Sequence, residues 1–185
     1  TEQMALKNGG VIKENSRGVL GDEILIQYQD SILSQIDIKG NAEAWQDFDS
    51  KIKKDDSNFY RFRNEMRSKL MTVEVKEDEI QKMFLQNMAE TIYHVAEDSL
   101  LMGTNHASGD TIILSFEDSE LTRIQVAGGG QGIFTPEIGN TKIDTTITYK
   151  ANYLDYFVDL EQTELIENSV VEYQDTKLHA GNIIV

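Results

Sequence analysis

A chain of 185 residues with a net charge of −15 and no cysteine excludes several kinds of protein at once. Its acidic surface repels phosphate backbones, so nucleic acid is not an expected partner. The chain can form no disulfide, thiolate metal site or cysteine nucleophile.

Hydrophobic residues at 39% and charged residues at 26% describe a folded, soluble chain. No run approaches the roughly 18 apolar residues of a membrane helix. Residues 1–20 lack the apolar stretch of a signal peptide and the chain opens on Thr1, so it reads as a mature or excised segment.

Read in chain order, Asn8-Gly9-Gly10-Val11-Ile12 looks like the tail of a strand. Residues 21–33 then give a strand, a polar turn and the start of a second strand. Ile24, Ile26 and Tyr28 share one face, and so do Ile36, Ile38, Gly40, Ala42 and Ala44. Such period-two alternation means half-buried β-structure. Residues 47–66 read as a loop, with a short helix predicted over Phe59–Leu70 from the spacing of Phe59, Phe62 and Met66. A basic stretch lies here: Lys51, Lys53, Lys54, Arg61, Arg63, Arg67 and Lys69. It reads as a solvated segment balancing carboxylates, or as a patch for an anionic partner.

A weaker hairpin follows. Met71, Val73 and Val75 form its first strand, residues 76–79 its turn, and Met83, Leu85, Asn87, Ala89 and Thr91 its return. After a predicted loop at 94–108 the first hairpin comes back. Gly21-Asp22-Glu23-Ile24-Leu25-Ile26 reappears as Gly109-Asp110-Thr111-Ile112-Ile113-Leu114, Tyr28 as Phe116, and Ile36, Ile38 and Gly40 as Ile124, Val126 and Gly128. Gly128-Gly129-Gly130-Gln131-Gly132 reads as a thin strand or bulge rather than a phosphate cradle, because no Gly-Lys-Ser/Thr follows.

Residues 134–150, with Pro136, read as a further loop. A fourth hairpin runs from Tyr153 through a turn at Glu161-Gln162 to Leu165, Ser169, Val171 and Tyr173. Its first strand is apolar on both faces, as if covered twice. Gln174-Asp175 turns the chain once more, and Leu178, Ala180, Asn182 and Ile184 begin a unit that stops short. Repeated hairpins grow by stacking, each adding one layer to a continuous core. The chain thus reads as a single domain over 1–185, cut from a longer array.

No catalytic constellation stands out. His94, His106 and His179 are scattered without metal spacing, carboxylates abound and those at Asp30 and Asp118 fall in turns, and no nucleophile elbow is present. Neither a metal nor a cofactor is expected. Met71, Met83 and Met88 follow strand positions, as core filler or as an adaptable lining for a flexible apolar ligand. Trp45, Tyr93 and Phe134 sit near the ends of corresponding strands, where they pack or cover an edge.

The repeat resembles the OstA-like family of lipopolysaccharide-transport proteins, which includes LptA, LptC and the N-terminal domain of LptD. The residues that carry the resemblance are 109–118, Leu121-Thr122-Arg123-Ile124-Gln125-Val126 and the tail 165–181. The run 63–71 followed by Val73 and Val75 looks like the longer members of the family. What this implies is an all-β fold, an open twisted β-jelly roll of two facing antiparallel sheets with an apolar trough between them. It further implies a periplasmic location, possible association with the outer membrane, and passage of lipopolysaccharide or a similar lipid along the trough without a chemical step. Partners would add at exposed sheet edges, whether other bridge proteins or further copies of the chain.

The candidate lining by period comprises Ile24, Ile26, Tyr28, Ile36, Ile38, Met71, Val73, Met83, Leu85, Ile112, Leu114, Phe116, Ile124 and Val126. Plain core is the competing role for each. Two other readings remain: a β-solenoid scaffold or adhesin that binds only proteins, and a carbohydrate-active enzyme on a β-scaffold.

Overall fold

The computed structural model describes residues 2–53, 59–97, 100–118, 120–137, 143–160 and 162–185. They form one antiparallel sheet of ten strands whose order in space is their order in the chain. The strands are β1 (Glu2–Glu14), β2 (Arg17–Gln29), β3 (Ile32–Lys53), β4 (Phe59–Lys76), β5 (Glu79–Glu97), β6 (Leu100–Glu117), β7 (Glu120–Pro136), β8 (Ile147–Phe157), β9 (Gln162–Tyr173) and β10 (Thr176–Ile184). β1 and β10 are edges, so the sheet is open and not a barrel. The two facing sheets that the family resemblance implies are the two halves of this single sheet.

The halves are made by a corner that crosses every strand. Each odd-numbered strand inserts one extra residue there, so Gly21-Asp22 on β2 stands opposite Gly40-Asn41-Ala42 on β3, and Gly109-Asp110 on β6 opposite Gly128-Gly129-Gly130 on β7. The inserted pairs share one backbone state. Asn8-Gly9, Gly40-Asn41, Asn87-Met88, Gly128-Gly129 and Glu167-Asn168 all have φ between 47° and 91°. Two successive left-handed residues turn a strand sharply, which is why Gly and Asn recur in these pairs. The bend is tight enough that a Cβ on Gly10 would touch the Cβ of Leu6, four positions back in the same strand.

A corner this tight leaves room for little on its inside. On one flank each strand places a small residue next to the bend: Gly10, Gly21, Ala42, Ser68, Ala89, Gly109, Gly130, Ala151 and Ser169. On the other flank stand Ile24, Ile38, Met71, Leu85, Ile112 and Leu165, each no more than 1% exposed. The bulky side chains fill the space that the small residues leave. Ile38 Cγ2 lies where a Gly21 Cβ would go, Val126 Cγ1 where a Gly109 Cβ would go, and Leu154 where a Gly130 Cβ would go.

The two flanks end differently. Beyond the bulky residues, two-residue turns close β2–β3 at Asp30-Ser31 and β4–β5 at Glu77-Asp78, with positive φ at all four residues. That is the geometry that matches strand twist. The repeat is reproduced atom for atom just inside this flank: the Ser34 hydroxyl donates to the Gln27 carbonyl and the Thr122 hydroxyl to the Ser115 carbonyl, both at 3.1 Å.

On the opposite flank the central strands run on as long arms. β3 has 22 residues and β4 to β7 have 17 to 19, well beyond the usual strand. This corrects the loops expected at 47–66 and 94–108 and the helix expected over Phe59–Leu70: both segments are strand wherever they are described. On β3 and β4, cross-strand ion pairs accompany the extended arms. Arg63 and Arg67 alternate along β4 and meet Asp47 and Glu43 on β3, Arg63 Nε to Asp47 Oδ1 at 2.6 Å and Arg67 Nε to Glu43 Oε2 at 3.4 Å. At 134–150 the described residues outside strand are 137 and 143–146, since Pro136 closes β7 and β8 starts at Ile147. Lys54, Ser119, Glu161 and residues 138–142, which the sequence reading used, lie outside the described residues.

Three smaller expectations also change. Met88 sits in a corner pair and is 68% exposed, so it fills no core. Trp45 is not at a strand end; it lies over Gly18 on the outer face, with the Arg63 guanidinium 5.5 Å from its ring. The first strand of the last hairpin is covered twice only in part. Leu154 is buried inside and Asp155 outside, the latter by a bidentate pair with Arg123, whereas Tyr153 is exposed.

Gly21→Val and Gly109→Val are each expected to cost about 1–3 kcal/mol by overfilling the corner, read as a lowered midpoint of urea unfolding. Gly181→Ala, where a Cβ would meet nothing, is expected to change it by less than about 0.5 kcal/mol. Replacing Glu77-Asp78 by Asn-Gly is expected to raise stability by about 1 kcal/mol, because two Cβ-bearing residues leave the left-handed region.

Candidate functional site

Away from the corner the two halves diverge, and side chains no longer reach across. The space between them is a groove of about 560 Å³, open to solvent. That lies within the range of roughly 300–1,000 Å³ typical of ligand sites. On the short-turn flank its wall is apolar, built from alternate residues of β3 to β7: Leu33, Ile36, Val73, Val75, Ile80, Met83, Leu114, Phe116, Leu121 and Ile124. On the long-arm flank Val19, Ala44 and Met66 continue that wall, with Phe48, Thr91 and Tyr93 beyond them. Charge appears only towards the ends. Asp78, Glu120 and Asp159, all at the short turns, rim one mouth; Glu14, Arg17, Glu65 and His94 stand at the other.

Of the residues that periodicity assigns to a lining, Ile36, Val73, Met83, Leu114, Phe116 and Ile124 border this groove. Ile24, Ile38, Met71, Leu85, Ile112 and Val126 point the same way but stand next to the corner, where they pack into the sealed row. Ile26 is buried in the same cluster and Tyr28 packs against it half-buried. Distance from the bend separates lining from core, and that distance is set by the register of the bulges. Periodicity misses Leu33, Val75, Ile80 and Leu121, which lie near turns, and all the arm residues. For the arm the signal was present as Arg63, Glu65 and Arg67 alternating with Phe62, Asn64 and Met66.

The arm end of the groove carries its polar chemistry. Three rings meet there, with Phe62 5.0 Å from His94 and Phe48 5.8 Å and 6.1 Å from Phe62 and His94. Burial lowers the His94 pKa below its ordinary 6.5, against the weaker opposing pull of Glu65 and Glu137. Imidazole in this position is therefore held towards its neutral form. Burial likewise raises the Tyr93 phenol, and pushes Tyr149 up to about 12 although its hydroxyl donates to Asn105 Oδ1 at 2.7 Å. Both phenols are held towards their neutral form. Among the described residues no three His, Asp or Glu side chains converge to hold a metal ion. His106 lies on the outer face, where Glu90, Ser108, Gln131 and Lys150 border a shallow polar depression, and His179 is exposed on β10. In the basic stretch, Arg63 and Arg67 are engaged by carboxylates; the side chains of Lys51 and Lys53 lie outside the described residues.

No protein-family model matches the chain, and no curated protein matches it in sequence. Among solved structures it is similar to the crystal structure of LptH, the LptA-homologous periplasmic component of the lipopolysaccharide transport device of Pseudomonas aeruginosa. The TM-score is 0.50 at 12% identity, over 65% of this chain and 73% of LptH. At that identity the likeness concerns architecture alone: this chain has the fold of an LptA-like open β-jelly roll.

Proposed function

We propose that this chain is a periplasmic lipid-bridge component that shields the acyl chains of lipopolysaccharide, or of a similar lipid, between the halves of its sheet. The observation that carries the reading is the groove itself. A scaffold that binds only proteins has no use for an unfilled apolar space, and a packed interior would bury the same residues at lower cost. Each methylene taken out of water is worth about 0.8 kcal/mol, so a few carbons of one tail account for useful affinity. Charged residues at the mouths leave a polar head group in water while its tails lie within. The fold-level likeness to LptH points the same way.

The sheet edges supply the means of assembly. β10 is exposed along nearly its whole length, Leu178 and Ile184 included, and β1 exposes Met4 and Val11. Such edges invite another strand. The corner would continue across the joint, because β10 bends at Gly181 and β1 at Asn8-Gly9, as neighbouring even and odd strands do within the chain. A second copy, or another bridge protein of the same architecture, would thus extend both the sheet and the groove.

A photoreactive phenylalanine at Leu33, Phe116 or Leu121 is expected to crosslink purified lipopolysaccharide, while the same probe at Thr72 or Gln125 on the outer face is not. Equal labelling from both faces, or none from either, would overturn the reading. Leu178→Lys with Ile184→Lys is expected to abolish a concentration-dependent rise in mass seen by light scattering for the unaltered chain. A chain that stays monomeric at all concentrations argues against self-assembly while leaving lipid binding intact.

A further inference from the structure

The ladder between β4 and β5 ends at the pair Glu65–Ile92. Both strands continue past that point with their other neighbours: β4 stays paired to β3 as far as Phe59, and β5 to β6 as far as Glu97. The sheet therefore forks into two arms. Beyond the last pair, the His94 N–H goes to a side chain, the Asn64 Oδ1 at 3.0 Å. The Phe62 and His94 rings face each other across the notch at 5.0 Å, and Phe48 closes in from β3. Phe48, Asn64, Tyr93 and His94 also border the groove, so the fork lies in its wall.

From this geometry we infer that the fork between β4 and β5 is a lateral portal, through which the alkyl tail of a lipid enters and leaves the groove, with the Phe48, Phe62 and His94 rings as its plug. The inference rests on the groove being a lipid site. Below the fork the β4–β5 wall is a backbone ladder, and opening it breaks hydrogen bonds pair by pair. At the fork the described contacts are between rings and between His94 and Asn64, and side-chain rotation is fast compared with the parting of strands. The opposite mouth offers no equivalent route. A tail threading end-on there passes Asp78, Glu120 and Asp159, whose hydrated carboxylates resist being stripped of water. At the fork it meets two phenyl rings, an imidazole and a carboxamide, and the carboxylate at its base, Glu65, is engaged by Arg67.

The chain has no cysteine, which makes a test by crosslinking clean. Asn64→Cys with Tyr93→Cys places thiols on facing positions just beyond the last pair, and bridging them by oxidation or a short dithiol-reactive linker locks the fork. Arg67→Cys with Glu90→Cys, a directly opposed pair within the ladder, gives a matched lock below it. Stopped-flow fluorescence of cis-parinaric acid is then followed in each protein, bridged and reduced. The fork lock is expected to slow association and dissociation together at least tenfold, with the equilibrium constant unchanged. The ladder lock is expected to alter neither rate.

Unchanged rates with the fork locked, or equal slowing by both locks, would overturn the portal and leave the groove standing. No binding by the unaltered protein would remove the groove reading, and the portal with it. Where the fork bridge does not form, Phe62→Ala with His94→Ala gives the reverse reading: both rates rise if the rings are a plug, and unchanged rates refute it.

Discussion

The structure depends on one constraint, the pairing of a left-handed dipeptide on each odd-numbered strand with small inward residues at the bend of that strand and its neighbours. The dipeptide turns the backbone, and the small residue lets the turned segment close on its own strand. Neither suffices alone. A bend without Gly21, Gly109 or Gly130 beside it would drive Cβ atoms into Ile38, Val126 or Leu154, and small residues on a straight strand would leave voids. Because the pattern recurs strand after strand, the bends align into a crease, and the crease converts one broad sheet into two walls.

Everything functional is a consequence of how far a residue stands from that crease. Close to it, the walls touch and Ile24, Ile38, Met71, Leu85 and Ile112 make a dry core. Further out the same face, with the same kinds of side chain, borders open space. Core and groove wall thus come from one surface, divided by geometry and not by composition. The charged outer face is a separate layer, where pairs such as Arg63–Asp47 and Arg123–Asp155 hold neighbouring strands in register.

This division explains what could and could not be read from the amino-acid order. The hairpins around Asp30-Ser31 and Glu77-Asp78 were legible because apolar alternation on both sides converges on a polar pair. The inward face was legible for the same reason, and the recurrence of 21–33 at 109–121 fixed its phase. The arms were not, because their inward positions are not consistently apolar. Gly103, Asn105 and Ala107 on β6 and Asn64 on β4 face inward with little hydrophobicity, so alternation survives only in the charges between them. The split between lining and core was hidden as well. Val73 and Met71 look alike in sequence, and only the position of the bulge tells which one meets the groove.

That chain order and spatial order coincide has a consequence for how the molecule comes into being. Each new strand finds its mate in the segment immediately before it, and no strand must await one made much later. Loop closure in the described hairpins is short throughout, which favours rapid zippering. A polypeptide threaded end-first through a narrow passage could therefore crystallise into shape behind its own leading tip, one layer at a time.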